Sequence, residues 1–301
     1  MGVLSTDVHE RLRVEPGTRA RLEGRDPGWR GGATLKPLLR DGREDDAREH
    51  LGGLVERLSD AQERLWASDR CALLVIFQAM DAAGKDGTIE HVFSGVNPQG
   101  VHVSSFKQPS AEELDHDFLW RCVTRLPERG RIGVFNRSYY EEVLVVRVHP
   151  EFLDAQRLPD RPGGKRLWTQ RYESINALER HLDRNGTKVV KFFLHVSKRE
   201  QTERFLARLD GPDKRWKFSV GDLDEREFWD DYQRAYEDAI SATSTPWAPW
   251  YVIPANHKFV MRALVAGVLV DTLDGLGLEF PIVGEDKMAE LAEARRRLEA
   301  E

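Results

Sequence analysis

A parallel α/β sheet with helices on both faces is the fold this sequence predicts, and three features predict it. Short apolar runs alternate with amphipathic segments along the chain, the order that successive βα units require. One apolar run, Ala72–Phe77, passes through a turn of small residues into a Lys that opens a helix, within Val75–Thr88 (VIFQAMDAAGKDGT). The chain has 301 residues, 40% of them hydrophobic, enough to bury one large core with extensions or two small ones. Ligands on such sheets sit beyond the C-terminal strand ends, so residues just past each strand are the first candidates for chemistry.

Taken in order, residues 1–45 are rich in Arg, Gly and Pro without a clear period and read as an arm, partly disordered or wrapped on a neighbour. Asp46–Ser68 carries Leu51, Leu54, Val55, Leu58, Leu65 and Trp66 near helical spacing and leads into the Ala72–Phe77 strand. Val101–Phe106 is a second strand, Ala111–Arg125 a helix, and Arg131–Phe135 a third strand ending at the polar cluster Asn136-Arg137-Ser138. Three prolines and a Gly-Gly pair make Pro150–Arg166 a loop. Gln170–Arg184 is a helix closed by Asn185-Gly186, and Lys188–Val196 (KVVKFFLHV) is a strand. Asp224–Ile240 reads as an acidic, aromatic-bearing helix, Trp250–Ile253 as the last strand, and a helix follows from about Asn256. Glu285–Glu301 is a charged terminal helix.

The strand–turn–Lys–helix unit is built like a P-loop. Small residues let backbone N–H groups close on phosphate oxygens, the helix N-terminus favours negative charge, and the Lys reaches a terminal phosphate. The phosphate-binding candidates are therefore Ala82, Ala83, Gly84, Lys85, Asp86, Gly87 and Thr88. Two positions depart from G-x-x-x-x-G-K-[ST]: Ala79 stands at the first Gly, and Asp86 at the hydroxyl after the Lys. Asp81 inside the loop would repel phosphate unless a cation intervenes. It either holds Mg²⁺, or orients an attacking oxygen, or only caps the helix as a polar turn.

Two further groups accompany the loop. Asn136-Arg137-Ser138-Tyr139-Tyr140-Glu141-Glu142 puts a fixed cation and carboxylates just past a strand, adjacent to where the P-loop would emerge. Arg137 can grip phosphoryl oxygens with its rigid fork. Glu141 either accepts from a base amino group or forms a surface ion pair of little worth. Residues 198–217 hold seven cations and four acids, and Arg204 and Arg208 share one helical face. Gly211-Pro212 breaks that helix. The segment reads either as a basic lid over transferring phosphate or as a solvated, internally paired helix. Thr245–Tyr251 (TPWAPWY) is stiff and aromatic, better suited to packing than to stacking a base. His257 reads as structural.

Composition narrows the partners. Lys+Arg 45 against Asp+Glu 51 gives a net charge of −6, which offers no general attraction to nucleic acid or to an anionic membrane. The longest apolar run, Ala263–Val270, is too short to span a bilayer. Cys71 and Cys122 lie in apolar stretches without metal-site spacing, as in a reducing compartment. Met1–Arg13 lacks the apolar core of a signal peptide, so the expected location is cytoplasmic.

Five ordered blocks together resemble the family-2 polyphosphate kinases: QAMDAAGKDGT, FNRSYYEEVLVVRVH, RYESINALERHL, ERFLARLDGPDKRWKFS and TPWAPWYVIPA, between roughly Asp46 and Ala266. The resemblance implies a P-loop kinase-like sheet with a helical basic lid at about 198–223. It places that domain at 46–283, between the arm (1–45) and the C-terminal helix (284–301). It implies Mg²⁺-dependent, reversible transfer of phosphate between inorganic polyphosphate and nucleotides. By matching positions, Lys85 would activate the transferred phosphoryl group and Asp81 would assist the metal. Arg137 would stabilise the group in flight, Arg208 with Arg204 would act from the lid, and Lys214 and Lys217 would line the polyphosphate channel. Asn136 with Glu141 resembles the subgroup that accepts both nucleoside mono- and diphosphates, with Glu141 near the base. The implied acceptors are AMP and ADP, with guanine nucleotides as further candidates, and the implied assembly is a homo-oligomer. An ATP-dependent P-loop nucleotide kinase and a non-catalytic nucleotide- or polyphosphate-binding protein are the alternatives.

Overall fold

A computed structural model describes residues 2–31, 44–159, 164–213 and 215–301, without the side chains of residues 44–48 and of Lys217. Its centre is a five-stranded sheet of order β2-β3-β1-β4-β5, in which every pairing is parallel. The strands are β1 (Ala72–Ala79), β2 (Val101–Ser105), β3 (Ile132–Asn136), β4 (Thr187–His195) and β5 (Trp250–Pro254). All eight residues of β1 are buried, as a central parallel strand requires with helices on both sides. Val75 pairs with Val134 of β3 and Val190 of β4, and Phe77 pairs with Asn136. That register brings the end of β3 beside the end of β1, so the P-loop and the Asn136-Arg137 cluster meet on one edge.

Alternation along β4 assigns the helices to two faces. Phe192 faces Phe77, with ring centroids 5.2 Å apart, and Tyr251 at 5.9 Å. His9 meets Tyr251 and also bonds Asp271 (2.8 Å), which places helix Lys258–Asp274 on this face. Helix Glu44–Ser68 packs along it. Lys191 and Phe193 point the other way, toward helices Lys165–Arg184 and Trp229–Thr243.

Two expected helices are interrupted. Ala111–Arg125 is two short pieces, Ala111–Leu114 and Trp120–Val123. Ser110 and Glu113 close a capping box on the first, and the Asp117 carboxylate then takes the Leu119 N–H at 2.9 Å, competing with continuous helix. Asp224–Ile240 divides into Gly221–Glu227 and Trp229–Thr243, where Phe228 turns to meet the His149 ring edge-on at 4.8 Å. The arm, over residues 2–31, lies against its own chain. Leu4, Val8, Leu12 and Val14 are buried, and the Val14 N–H bonds Trp250 O at 2.9 Å. Cys71 and Cys122 are free thiols, and burial pushes Cys122 up to about 12, so it stays protonated.

At the heart of the second face Lys191 is fully buried. Its Nζ donates to Glu179 Oε2 (2.5 Å), to Thr243 O (2.7 Å) and to Tyr140 Oη (2.9 Å). Glu179 Oε1 accepts the hydroxyls of Tyr139 (3.0 Å) and Tyr140 (2.9 Å). Burial pulls Lys191 down to about 8 and pushes Glu179 up, and each partner offsets part of the other's shift. Trp250, 1% exposed, packs edge-on to Tyr140 at 4.8 Å and donates to Thr243 Oγ1, so this part of the TPWAPWY segment is core, as expected. We expect Lys191→Met to cost about 3–5 kcal/mol, because it strands a buried carboxylate. Urea unfolding measures this, and a loss below ~1 kcal/mol would equate the pair with a surface ion pair.

Candidate active site

The loop after β1 is strained in the sense a phosphate cradle needs. Ala82 and Gly84 have φ of 59° and 100°, and helix Lys85–Val92 starts directly on Gly84. A Cβ on Gly84 would lie 3.3 Å from the flexible end of Met261, a tight fit, and the positive φ is what disfavours a side chain there. The first helical hydrogen bond is Thr88 N to Gly84 O (2.9 Å). The N–H groups of Lys85, Asp86 and Gly87 precede it and have no acceptor within the helix. Thr88 itself faces inward: its hydroxyl donates to Gly84 O at 2.9 Å, so it braces the loop instead of meeting phosphate. The Ala83 N–H is similarly taken by Met80 O (3.2 Å).

Beside the loop, Arg137 occupies a left-handed conformation (φ 65°) that a non-glycine residue adopts at a cost of about 1–3 kcal/mol. Its N–H bonds Phe77 O at 3.0 Å, which fixes it to the end of β1. Its guanidinium bridges Asp81 Oδ1 (3.1 Å) and Glu141 Oε2 (3.2 Å). Glu141, then Asp81, raise its pKa, so it is a permanent cation. Lys85 is pulled below the usual lysine range by burial and by the charge of Arg137, with Asp81, Glu141 and Asp86 opposing. Two cations held this close favour a shared anion. Asn136, expected at the nucleotide, donates to Asp86 Oδ1 at 2.6 Å and joins β3 to the first turn of the P-loop helix.

Helix Lys198–Asp210 lies over this edge, capped by the Ser197 hydroxyl. Arg204 and Arg208 have separate tasks. Arg204 is buried, and its guanidinium donates to Ala82 O (3.0 Å), Ala83 O (2.6 Å), Ala255 O (2.6 Å), Asn256 O (3.3 Å) and Glu200 Oε1 (2.8 Å). With those five donors on the protein, it braces the P-loop. Arg208 is held only loosely, 3.9 Å from Asp222 and over the Phe205 ring. Lys214 lies outside the described residues, as does the Lys217 side chain.

The space between Asp81, Arg137, Glu141, Asp222 and Tyr236 is about 40 Å³. Ligand pockets run to several hundred Å³, so this space is small as it stands. Among the described residues no group of three or more His, Cys, Asp or Glu is placed to hold a metal ion. Burial and the charge of Asp81 push the Asp222 carboxyl up. Two carboxylates repelling across a phosphate cradle suit a cation held by one or two acids, waters and the substrate's own phosphates, which is how Mg²⁺ usually binds.

The family model for polyphosphate kinase 2 matches residues 42–279. The chain belongs to the polyphosphate kinase 2 family. The ADP-polyphosphate phosphotransferase of Rhodopseudomonas palustris is 56% identical over 258 residues, covering 84% of this chain and 89% of that one. The AMP/ADP-polyphosphate phosphotransferase of Meiothermus ruber is 46% identical over 272 residues, covering 90% and 95%. The crystal structure of polyphosphate kinase 2 from Arthrobacter aurescens superposes with a TM-score of 0.85 at 42% identity, covering 96% of each chain.

Three residues of this polyphosphate kinase 2 site escaped sequence reasoning. Gln201 is buried and donates to Asp81 O (2.9 Å). Arg226 donates to Gln201 Oε1 and, at 2.6 Å, to Thr202 Oγ1, which ties the far side of the lid to its helix. Asp222 faces Arg208. Gln201, Arg204 and Arg208 stand three and four residues apart, so the stripe that carries Gln201 was readable. The Asp222 and Arg226 contacts come from the separate short helix Gly221–Glu227 and were not. We expect Arg208→Ala to lower turnover far more than nucleotide affinity, and Arg204→Ala to lower the unfolding midpoint as well as turnover. Steady-state kinetics with urea unfolding separates the two, and identical profiles for both variants would contradict the division of roles.

Proposed function

We propose that this protein moves the terminal phosphate of inorganic polyphosphate to AMP or ADP, reversibly and with Mg²⁺. The observation that carries the reading is the convergence of Lys85, Arg137 and Asp81 at one sheet edge beneath a basic lid, in a chain of this family. Phosphoryl transfer asks for positioning and charge neutralisation more than for covalent help. A phosphate oxygen of the nucleotide attacks the terminal phosphorus of the chain. The bond to the bridging oxygen breaks, and that oxygen leaves on a polyphosphate one unit shorter. Lys85 and the free N–H groups of the loop hold the transferred group. Arg137, released from Asp81 and Glu141, spans its equatorial oxygens, and Arg208 adds charge as the lid closes. Mg²⁺, near Asp81, would neutralise phosphate charge.

Acceptance of AMP is the finer part of this reading. It rests on Asn136 and Glu141, and on the name of the Meiothermus ruber relative. Glu141 lies beside Tyr232 and Tyr236 in the site, a polar contact for an exocyclic amino group of adenine or guanine. We infer a cytoplasmic homo-oligomer. No helix among the described residues is long and apolar enough to cross a membrane. Helix Glu285–Glu299 exposes Met288, Leu291 and Leu298, which suit a contact with another copy. Sedimentation of a monomer at micromolar concentration would contradict that assembly.

A coupled assay with long-chain polyphosphate and Mg²⁺, offering AMP and ADP separately without ATP, tests the function. ADP and then ATP from AMP, with loss of turnover on chelation and in Lys85→Ala, is the expected result. ATP from ADP alone would remove the AMP assignment. No product from either acceptor, with activity appearing only when ATP is the donor, would favour an ordinary nucleotide kinase. Binding without turnover would favour a binding protein.

A further inference from the structure

A second cavity of about 410 Å³ opens between the arm and the ends of β4 and β5. His195, Val252 and Pro254 line it from the sheet, and residues 11–29 of the arm supply the rest of its wall. The strands that line it, β4 and β5, stand one and two spacings from β1, about 5 and 10 Å across the sheet.

The wall is strongly basic in a protein whose net charge is −6. Arg11, Arg19, Arg21 and Arg25 line it, with Asp26 the one carboxylate among the lining residues. Arg19 is partly neutralised by Glu237 at 2.8 Å. The Glu237 carboxylate also takes the Arg21 backbone N–H and acts on Arg25, so one buried acid behind the wall faces several of these cations. Arg25 donates to the carbonyls of Ala20 (2.9 Å), Arg11 (2.5 Å), Leu12 (3.3 Å) and Arg13 (3.2 Å). Arg11 lies 4.6 Å over the Trp29 ring. Arg21 is kept in a left-handed conformation (φ 52°) while its N–H bonds Glu237 Oε1 at 2.8 Å. Burial, and then the neighbouring Arg11, pull the Arg25 guanidinium below its usual value, with Glu237 opposing. His195, 8% exposed, lines the same cavity with its Nδ1 buried and without a hydrogen-bond partner among the described residues.

The cavity is also mechanically joined to the catalytic edge. Pro27 O accepts the Asn256 N–H at 3.0 Å, and Arg204 bonds both Asn256 O and the P-loop carbonyls.

We propose that this cavity is a second phosphate-chain site, separate from the P-loop, that holds a distal stretch of the polyphosphate donor. The inference rests on the polyphosphate reading above. Holding one chain at two places raises the effective concentration of its end at the P-loop, without a new contact at the transferred phosphate. A donor too short to reach both places gains nothing.

The test is the chain-length dependence of the Arg11→Gln/Arg21→Gln variant, both positions being exposed at the cavity rim. We expect KM for long-chain polyphosphate to rise at least about fivefold. KM for tripolyphosphate, KM for ADP and the unfolding midpoint should stay as in the unaltered protein. In a Lys85→Ala background, where transfer is disabled, the same two substitutions should weaken binding of long-chain polyphosphate measured by calorimetry. Unchanged KM for the long chain, or an equal rise for both donors, overturns the second site. An unaltered protein that uses no polyphosphate at all would instead overturn the function, so the two failures are distinguishable.

Discussion

The buried pair of Lys191 and Glu179 is the constraint on which the catalytic edge depends. Neither charge reaches water, and neither is tolerable there without the other. Together they satisfy the hydroxyls of Tyr139 and Tyr140 and the carbonyl of Thr243. Tyr139 and Tyr140 follow Arg137-Ser138 immediately in the chain, and Glu141 comes next. The segment carrying Arg137 and Glu141 is thereby pinned from below by the two tyrosines and from the side by Phe77 O. A residue kept at positive φ needs such over-determination, and Arg137 has it.

On the other side of the phosphate cradle, Arg204 has the matching task. It gathers carbonyls from the P-loop and from the turn after β5, and it brings a lid helix with it. The result is a division of labour among cations. Arg204 and Lys191 are committed to the protein and set geometry. Lys85, Arg137 and Arg208 keep looser or exchangeable partners, which suits groups that must turn to a phosphate. The acidity of the chain as a whole fits this arrangement, because positive charge is concentrated where a phosphate chain would lie.

Much of this was legible in the sequence. The five strands fall within one or two residues of where the sequence placed them; β1, β3, β4 and β5 are mostly buried and apolar, as parallel strands covered on both faces are, whereas β2 is a largely exposed edge strand. The meeting of the P-loop with Asn136-Arg137 followed from strand ends alone. Less legible were contacts set by tertiary neighbours. Nothing local marks Lys191 as buried: it stands among apolar residues of KVVKFFLHV, and Glu179 of the preceding helix makes its burial tolerable. Thr88 and Arg204 matched phosphate-binding positions, yet their hydrogen-bonding groups turn to the backbone of the loop. The interruptions at Asp117 and Phe228 come from a local side-chain bond and from a ring contact that helical periodicity does not encode.

The account stands on the claim that the tyrosine hydroxyls, through Glu179, hold Arg137 where it can meet the transferring phosphate. Turnover of a Tyr139→Phe/Tyr140→Phe variant, measured on protein shown by urea unfolding to be folded, tests it most directly. Both rings keep their packing while the ties to Glu179 are lost. A fall in kcat of about tenfold or more, with nucleotide affinity little changed, is the predicted result, since small misplacements near the reacting atoms are costly. Turnover equal to that of the unaltered protein would contradict the claim.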